Sequence, residues 1–266
     1  MQHTWGPVLR ALNPRESKTI ASDVYERIRA DIVGGRLRPG EKLYSELLKE
    51  RYDAGSSPVR EALSHLTADG LVNAESQKGF RVAEVSLPEF VDIARQRLRL
   101  ESLALLDAIR FGGVDWEVEI VARYHRLRHS IGESAKGEEA YADHWEMSHR
   151  AFHFALLDGC GQPWLLSFCE RLYDQMERYR RAFVAYRQIP KDLLEEHGEI
   201  MNAVLARDTA RALMLVREHI LRATELTERD LRAQGIMGAD SVPVGIRQLL
   251  LAQEETPQAP ETRRAG

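Results

Sequence analysis

The chain has 266 residues, of which 44% are hydrophobic and 29% are charged, and its net charge is −4. This composition is typical of a soluble globular protein with apolar material for one large domain or two ordinary ones. It excludes a strongly basic chain that binds nucleic acid through net charge alone. No run of about eighteen apolar residues predicts a membrane span. The absence of a secretory signal pattern and of a cysteine framework favours a cytoplasmic protein.

Composition predicts two domains between two polar ends. Residues 1–17 and the C-terminal tail are polar and lack hydrophobic periodicity, which predicts loose segments. Near Pro88 a strand-like run is followed by a long helical pattern. We therefore predict a flexible arm at 1–17, a first domain at 18–85, a linker at 86–89, a helical domain at 90–232 and a loose tail at 233–266.

Three helices are predicted in the first domain. The segment SDVYERIRADIVGG at 22–35 begins with Ser22 as N-cap and ends on two glycines. After a turn in LRPGEKL comes a short helix, SELLKERY at 45–52. The third helix lies in SSPVREALSHLTADG at 56–70, with Ser57 as N-cap and Pro58 at the first helical position. The spacing of the second and third helices is that of a helix-turn-helix.

A hairpin is predicted after the third helix. LVNAE and GFRVAEV are two strands, and SQKG joins them with its glycine at the turn. This order of elements predicts a winged helix-turn-helix, an α+β domain with a small hairpin wing. Residues 17–85 contain eleven Lys or Arg and eleven Asp or Glu, so charge alone favours a generic helical domain over a DNA-binding one.

The third helix has side chains suited to the major groove of DNA. Ser56 and Ser57 at its N-terminus are small hydroxyl residues that approach phosphates without a steric penalty, where the helix dipole assists. Arg60 lies in its first exposed turn, where a guanidinium meets a guanine or a phosphate. Lys78 and Gly79 lie at the hairpin tip, where glycine permits close approach to the backbone or minor groove.

Almost everything after Glu89 is predicted to be helical. Apolar residues recur three and four apart, and glycine, proline and aspartate breaks separate the segments. The second domain is thus predicted to be an all-α antiparallel helical bundle with room for an internal cavity. The predicted helices are 88–111, 115–133, 138–158, 163–187, 190–206 and 208–231.

Four of the nine histidines have spacings that bring them together in such a bundle. His149 and His153, in SHRAFHFALL, are four apart and share one helix face. His197 and His219 are about equally far from the predicted turn near Arg207, so an antiparallel hairpin places them side by side. A single histidine is more often a surface or hydrogen-bonded core residue, but four with these spacings predict a metal site.

The histidine pair lacks the partner that a metal hydrolase needs. In the zinc-protease pattern H-E-x-x-H, a glutamate next to the first histidine is the general base. Here the sequence is HRAFH, with Arg150 in that position, and no nucleophile elbow or glycine-rich phosphate loop occurs. The sequence therefore predicts that the protein is not an enzyme. A metal-dependent helical enzyme acting on small carboxylates is the alternative.

The first domain resembles the winged-helix domain of GntR-family transcription regulators. The resemblance is carried by GGRLRPGEKL, LLKERYDAGSSPVREALSHLTADGLV and QKGFRVAEVS. It implies that the DNA contacts are those assigned above, with Arg60 the strongest candidate. The chain departs from the family in having serine where an arginine normally contacts DNA, and Glu46 where some members have arginine. No operator sequence is therefore transferred from the family.

The second domain resembles the FCD ligand-binding domain of the FadR-type branch of these regulators. RQRLRLESLAL matches its first helix, HRAFHFALLDGCGQPWL its central helix and EEHGEIMNAVLARDTARALMLVREHI its last two. With the winged helix, the resemblance spans about residues 20–230. GCGQPWLL and YDQMERYR further resemble the CsiR branch of glutarate-responsive repressors.

The resemblance implies a divalent metal bound by three histidines and one acid. His153, His197 and His219 fall on the three histidine positions, and His149 falls on the position of the acid. A set made only of imidazoles favours zinc or nickel over harder ions. If His149 is not a ligand, an oxygen of the effector or of water takes its place.

The resemblance also implies an effector site beside the metal. Arg97, one turn before Glu101, falls on the pocket arginine of the family and is expected to pair with a carboxylate of the effector. An ordinary ion pair between Arg97 and Glu101 is the alternative. Arg178 and Tyr179 are weaker candidates for the same pocket wall.

The function implied is that of a metabolite-responsive transcription regulator, expected to be a repressor. A homodimer would bind double-stranded operator DNA and leave it when a small organic acid, in particular a short dicarboxylate, binds over the metal. No membrane partner is expected. Besides the enzyme, a second alternative is a regulator whose histidine cluster is purely structural and whose ligand resembles a lipid.

Overall fold

In the computed structural model the described residues are 19–75, 78–130, 138–183, 191–233, 235 and 246–251. They form a small mixed domain followed by a larger helical one. The predicted arm at 1–17 and most of the predicted tail lie outside the described residues. Among the described helices, none combines the length and the apolar character needed to cross a membrane.

The first domain has three helices and a three-stranded antiparallel sheet. Its elements are α1 Ile20–Val33, β1 Lys42–Leu43, α2 Ser45–Tyr52, α3 Ser56–Ala68, β2 Val72–Glu75 and β3 Gly79–Val82. The apolar faces of α1 and α3 meet in a core that includes the fully buried Ile28 and Leu66. This packing directs the polar face of α3 outward, and the predicted winged helix-turn-helix is confirmed.

The sheet contains one strand that the sequence does not predict. β3 is central, with β2 on one side and β1 on the other, in the order β1-β3-β2. Leu43 of β1 pairs with Phe80 and is buried. β1 has only two residues, too few to show an alternating pattern, so the sequence predicts only a turn in LRPGEKL. The added strand closes the exposed edge of the wing.

Two helix caps differ from prediction. α1 begins earlier, because Thr19 is its N-cap and accepts a hydrogen bond from the Ser22 amide at 3.0 Å. α3 has Gly55 rather than Ser57 as N-cap, with no side-chain capping bond. Ser56 and Ser57 therefore lie within the first turn, and their hydroxyl groups are not used in capping that helix.

The second domain is a helical bundle. Its elements are α4 Leu87–Phe111, α5 Val114–Ser130, α6 Glu138–Asp158, α7 Pro163–Phe183, α8 Lys191–Leu205, α9 Thr209–Ala233 and α10 Ile246–Leu251. Ser86 caps α4, and Phe90, Leu105 and Phe152 are among the side chains of its core. In α10 the side chains of Ile246 and Leu250 are buried in that core, so this part of the predicted loose tail is ordered by its apolar residues.

Candidate metal centre and nucleic-acid interface

Four buried histidines on three helices converge inside the second domain. His149 and His153 lie on α6, His197 on α8 and His219 on α9. Each is at most 5% exposed, and one ring nitrogen from each lies within 4.8 Å of the others. The structure thus brings together all four histidines that the sequence singled out.

Helix geometry explains this convergence. His149 and His153 are one turn apart on the same face of α6. Between α8 and α9 the chain reverses at Arg207, whose positive φ of 56° ends the first helix of the pair. The reversal places the rings of His197 and His219 with their centroids 4.6 Å apart.

The nitrogen separations suit ligands of a single ion. His153 Nε2 lies 3.0 Å from His149 Nε2 and 3.2 Å from His197 Nε2. Ligands at about 2.0–2.1 Å from a tetrahedral zinc are about 3.3 Å apart. Without an ion, adjacent imidazole nitrogens need a shared proton to avoid repulsion between their lone pairs. The donor set therefore fits a divalent metal that prefers nitrogen ligands.

Hydrogen bonds at the opposite nitrogen orient three of the rings. His197 Nδ1 donates to the Leu193 carbonyl at 2.5 Å. His219 Nδ1 lies 3.0 Å from Glu196 Oε2, and His149 Nδ1 lies 3.0 Å from the Tyr173 hydroxyl. Such outer partners hold a ligating imidazole in one tautomer, with its other nitrogen free to bind metal.

Burial keeps three of these imidazoles in the neutral form. It lowers the pKa of His149 well below its usual value, and neighbouring His197 adds to the effect. The pKa of His153 is lowered in the same way, first by burial and then by His149. Burial followed by the charge of His219 lowers the pKa of His197 to about 3. At neutral pH these rings are in the form that binds metal.

Arg97, the predicted effector residue, lies on α4 over Tyr173, which contacts the histidine cluster. Its Nε donates to Glu101 Oε1 at 2.6 Å, and both side chains are buried. Its guanidinium lies over the Tyr173 ring, 5.0 Å from the centroid. Its positive charge is one of the smaller causes that lower the pKa of His149 and His153. Tyr173 therefore connects Arg97 to the histidines, because its ring lies under Arg97 and its hydroxyl is 3.0 Å from His149 Nδ1.

Arg178 lies elsewhere, and its assignment to the pocket wall is corrected. Its guanidinium donates to the Ala83 carbonyl at 2.6 Å, and Glu89 is its ionic partner at 3.3 Å. Tyr179 also bonds Glu89. The side chains of Arg178 and Tyr179 thus bind the segment that joins the domains. Helical spacing explains the error, because Arg178 and Arg180 point to different sides of α7.

Arg180, Glu146 and Tyr173 lie beside the histidine cluster and were missed by sequence reasoning. Arg180 forms an ion pair with Glu146, whose Oε1 also accepts from the Tyr173 hydroxyl at 3.0 Å. Burial raises the pKa of nearby Glu177 to about 8, and the charge of Glu146 adds to this. One signal was available: Tyr173 and Arg180 are seven apart, two turns of one helix face.

The residues assigned to DNA are all exposed on the first domain. Ser56, Ser57 and Arg60 are exposed on the first two turns of α3, and Lys78 and Gly79 are exposed at the tip of the wing. Gly79 has φ of +92°, and the space that a Cβ would occupy there is open. The turn itself therefore requires glycine, because other residues rarely adopt this conformation.

Charged side chains connect the two domains next to the histidine cluster. Asp174 on α7 accepts from Arg29 of α1, with an Nε distance of 3.1 Å, and from Arg150 of α6 at 2.5 Å. Arg150 also lies over the ring of Tyr173, 5.1 Å from its centroid. Asp174, Arg29 and Arg150 line a cleft of about 820 Å³ between the domains. A short chain of contacts thus links the cluster to α1.

Two family models match the chain. Residues 20–82 match "Bacterial regulatory proteins, gntR family", and residues 92–222 match "FCD domain". The chain is 42% identical over 208 residues to HTH-type transcriptional repressor GlaR of Escherichia coli K12, a match that covers 76% of this chain and 94% of GlaR. This chain belongs to the GntR family. It is a DNA-binding transcription regulator with an FCD domain.

Other GntR-family proteins agree with this placement. The uncharacterised regulator BphR of Paraburkholderia xenovorans is 38% identical over 203 residues, covering 76% of this chain and 83% of BphR. The structure of E. coli McbR/YncC is similar with a TM-score of 0.68, covering 79% of this chain and 98% of that one. At 21% identity, McbR/YncC supports the fold alone.

Proposed function

We propose that this GntR-family regulator is a repressor that leaves its operator when a small carboxylate, in particular a short dicarboxylate, binds over a metal in the FCD domain. The observation that carries the proposal is the convergence of four buried imidazoles beside the buried Arg97. The relative GlaR is named a transcriptional repressor, which supports the same direction of control.

The donor set indicates which metal the site would hold. His149, His153, His197 and His219 present neutral nitrogens, which favour zinc or nickel over hard, oxygen-seeking ions. When bound, such a metal supplies a Lewis acid toward which a carboxylate oxygen is attracted. The histidines would hold that ion in a dry, shaped cavity, and their outer hydrogen bonds would keep them oriented.

Arg97 and Arg180 explain why a dicarboxylate is preferred. Arg97 and Arg180 both lie over the ring of Tyr173, 5.0 and 5.9 Å from its centroid, and the Tyr173 hydroxyl contacts His149. A guanidinium pairs with a carboxylate through two parallel hydrogen bonds. A guanidinium has five N–H donors and one carboxylate uses at most two of them, so the pairs with Glu101 and Glu146 do not exclude a further carboxylate at Arg97 or Arg180. A ligand with two carboxylates could contact both arginines.

The effect of a bound ligand would reach the DNA-binding domain through Asp174. A ligand that shifts Tyr173 also shifts Arg150, which stacks on its ring and pairs with Asp174. Because Asp174 also pairs with Arg29 of α1, the position of the winged helix depends on this contact. In a homodimer, two α3 helices reach successive major grooves about 34 Å apart. A change in the position of α1 alters that spacing and weakens operator binding.

Two substitutions test whether Arg60 serves DNA binding and Arg97 serves release by the effector. On a DNA duplex selected from a random library by the full-length protein, Arg60→Ala should weaken binding by about 10–100-fold, because a bidentate base contact is lost. Arg97→Ala should bind the same duplex normally but should no longer be released by four- to six-carbon dicarboxylates. Gel shift with zinc-loaded protein measures both effects, and exposed Arg110→Ala is the control.

Three outcomes would contradict the proposal. Release of Arg97→Ala by dicarboxylates as readily as wild type would remove the effector site. Normal binding by Arg60→Ala would remove the assignment of α3. Conversion of a dicarboxylate to a product by the protein without DNA would favour the metal-dependent enzyme.

A further inference from the structure

A buried site built only from histidines has an electrostatic problem. Neutral imidazoles leave the charge of a divalent ion uncompensated, and Arg97 and Arg180 are each already paired with one carboxylate, Glu101 and Glu146. Burying a charge without a partner is strongly unfavourable. The position where an acid was expected is occupied by His149. In the absence of an effector, the compensating negative charge would come from side chains just outside the donor set.

The buried carboxylates around the cluster differ in how they are engaged. Glu101 is paired with Arg97 at 2.6 Å. Glu196 accepts from His219 Nδ1 and is partly exposed. Glu146 is only 3% exposed; its Oε1 pairs with Arg180, accepts from the Tyr173 hydroxyl and lies 3.6 Å from His149 Nδ1. Its other oxygen, Oε2, is buried and accepts no hydrogen bond from the described residues. Glu146 is thus the carboxylate that faces His149, the histidine at the position where an acid was expected.

The hydrogen-bond pattern assigns the protons between Glu146 and His149. The Tyr173 hydroxyl has a single proton, and it donates this proton to Glu146 Oε1 at 3.0 Å. Tyr173 therefore accepts from His149 Nδ1, which lies 3.0 Å away on its other side. With its proton on Nδ1, His149 presents the lone pair of Nε2 toward His153, 3.0 Å away.

We propose that Tyr173 and Glu146 act as positioning residues for His149, and together replace the acid that this site lacks. Tyr173 selects the ring tautomer, and Glu146 draws the Nδ1 proton outward through the hydroxyl. The imidazole thereby becomes a stronger electron donor at Nε2. A charge that would have contacted the ion directly lies one turn earlier on α6 and acts through two hydrogen bonds. This inference rests on the proposed metal site and extends it to residues that do not contact the ion.

Tyr173→Phe in the full-length protein tests this inference. Phenylalanine keeps the ring over which Arg97 and Arg150 lie and removes only the hydroxyl. Loss of an outer partner of a metal ligand typically weakens metal binding by about 10–100-fold. We expect that loss for Tyr173→Phe and for Glu146→Gln when zinc competes with a chromophoric chelator. Tyr179→Phe is a matched control, because Tyr179 is a buried tyrosine on the same helix that bonds Glu89 instead.

A second measurement does not depend on zinc. In zinc-free protein with ¹⁵N-labelled histidine, NMR should show the His149 proton on Nδ1 in the wild type and a mixture of tautomers in Tyr173→Phe. A wild-type ring protonated on Nε2 would overturn the inference even if both variants failed to fold. The inference would also be overturned if folded Tyr173→Phe or Glu146→Gln bound zinc within about twofold of wild type. An equal loss of zinc affinity in Tyr179→Phe would overturn it as well. If the wild type itself binds neither zinc nor nickel, the proposed metal site fails instead.

Discussion

The two domains of this regulator use polar side chains in opposite ways. In the winged helix the residues assigned to DNA are exposed and lie on a separate apolar core. In the FCD domain the histidines and Arg97 lie inside the core and are surrounded by buried partners. Exposed groups cost the fold little, whereas buried polar groups are tolerated only when each is hydrogen-bonded or paired.

Because of this difference in burial, substitutions in the two domains should affect ligand recognition and folding stability differently. Removing an exposed side chain such as Arg60 should change DNA binding and leave the fold intact. Removing a buried member of the cluster should change metal binding and stability together, because its neighbours lose their partners.

The largest expected effect is the loss of stabilisation by zinc in His153→Ala. An ion at about 100 times its Kd adds about 2.7 kcal/mol to the free energy of unfolding. For a chain of this size that corresponds to roughly 5–10 °C in Tm. Thermal unfolding of each protein with zinc and with a chelator should show this shift in the wild type and little or none in His153→Ala.

The chain provides a matched control for this measurement. His125 and His129 on α5 have the same i,i+4 spacing, with ring centroids 5.2 Å apart, but both are exposed. His125→Ala should keep the full zinc-induced shift. Equal loss in the two variants would mean that zinc binds at the surface pair as well and that burial does not distinguish the sites.

These two histidine pairs also show what sequence can predict. Spacing alone does not separate His125 and His129 from His149 and His153. The second pair differs in lying within the apolar run SHRAFHFALL and in having His197 and His219, placed about the turn at Arg207, as further donors. The winged helix and the bundle followed from periodicity and turn residues, which are local signals.

Features that depend on tertiary contacts were not predictable in this way. Glu146 and Tyr173 lie on different helices, so their hydrogen bond has no sequence pattern. β1 needs β3 to exist, and its two residues carry no periodicity of their own. The choice between Arg178 and Arg180 depends on the rotation of α7, which a short apolar pattern defines poorly.

A smaller effect is expected at the junction where the two domains meet. Asp174→Asn removes the charge shared by Arg29 and Arg150 but none of the DNA contacts. Operator affinity should stay close to wild type, while release by dicarboxylates should fall below the roughly 5–150-fold typical of allosteric coupling. Fluorescence anisotropy of labelled duplex, with and without ligand, measures both quantities.

Asp69→Asn is the control for the junction. Asp69 also bridges the domains, through Arg171 at 3.2 Å, but its contacts within the described ranges do not include Tyr173 or Arg150. It should keep normal release. If both variants lose release equally, the contact between the domains as a whole carries the coupling, and the specific route through Asp174 is wrong.

The smallest expected effect concerns Glu196, which is only partly buried. Its hydrogen bond with His219 is the main cause that lowers its pKa to about 2. A carboxyl group with a lowered pKa stabilises the folded state above its unfolded pKa of about 4.3, and this contribution is lost as pH falls toward 2. In metal-free protein, Glu196→Gln should therefore lower Tm at pH 7 by no more than about 2–4 °C, the range for a partly exposed pair. It should also make Tm decline less steeply than wild type between about pH 4.5 and 2.5. If Tm declines in parallel in both proteins, Glu196 contributes no more to folding stability than the exposed residues of the winged helix do. The partly exposed border of the cluster would then differ in energetics from its buried interior.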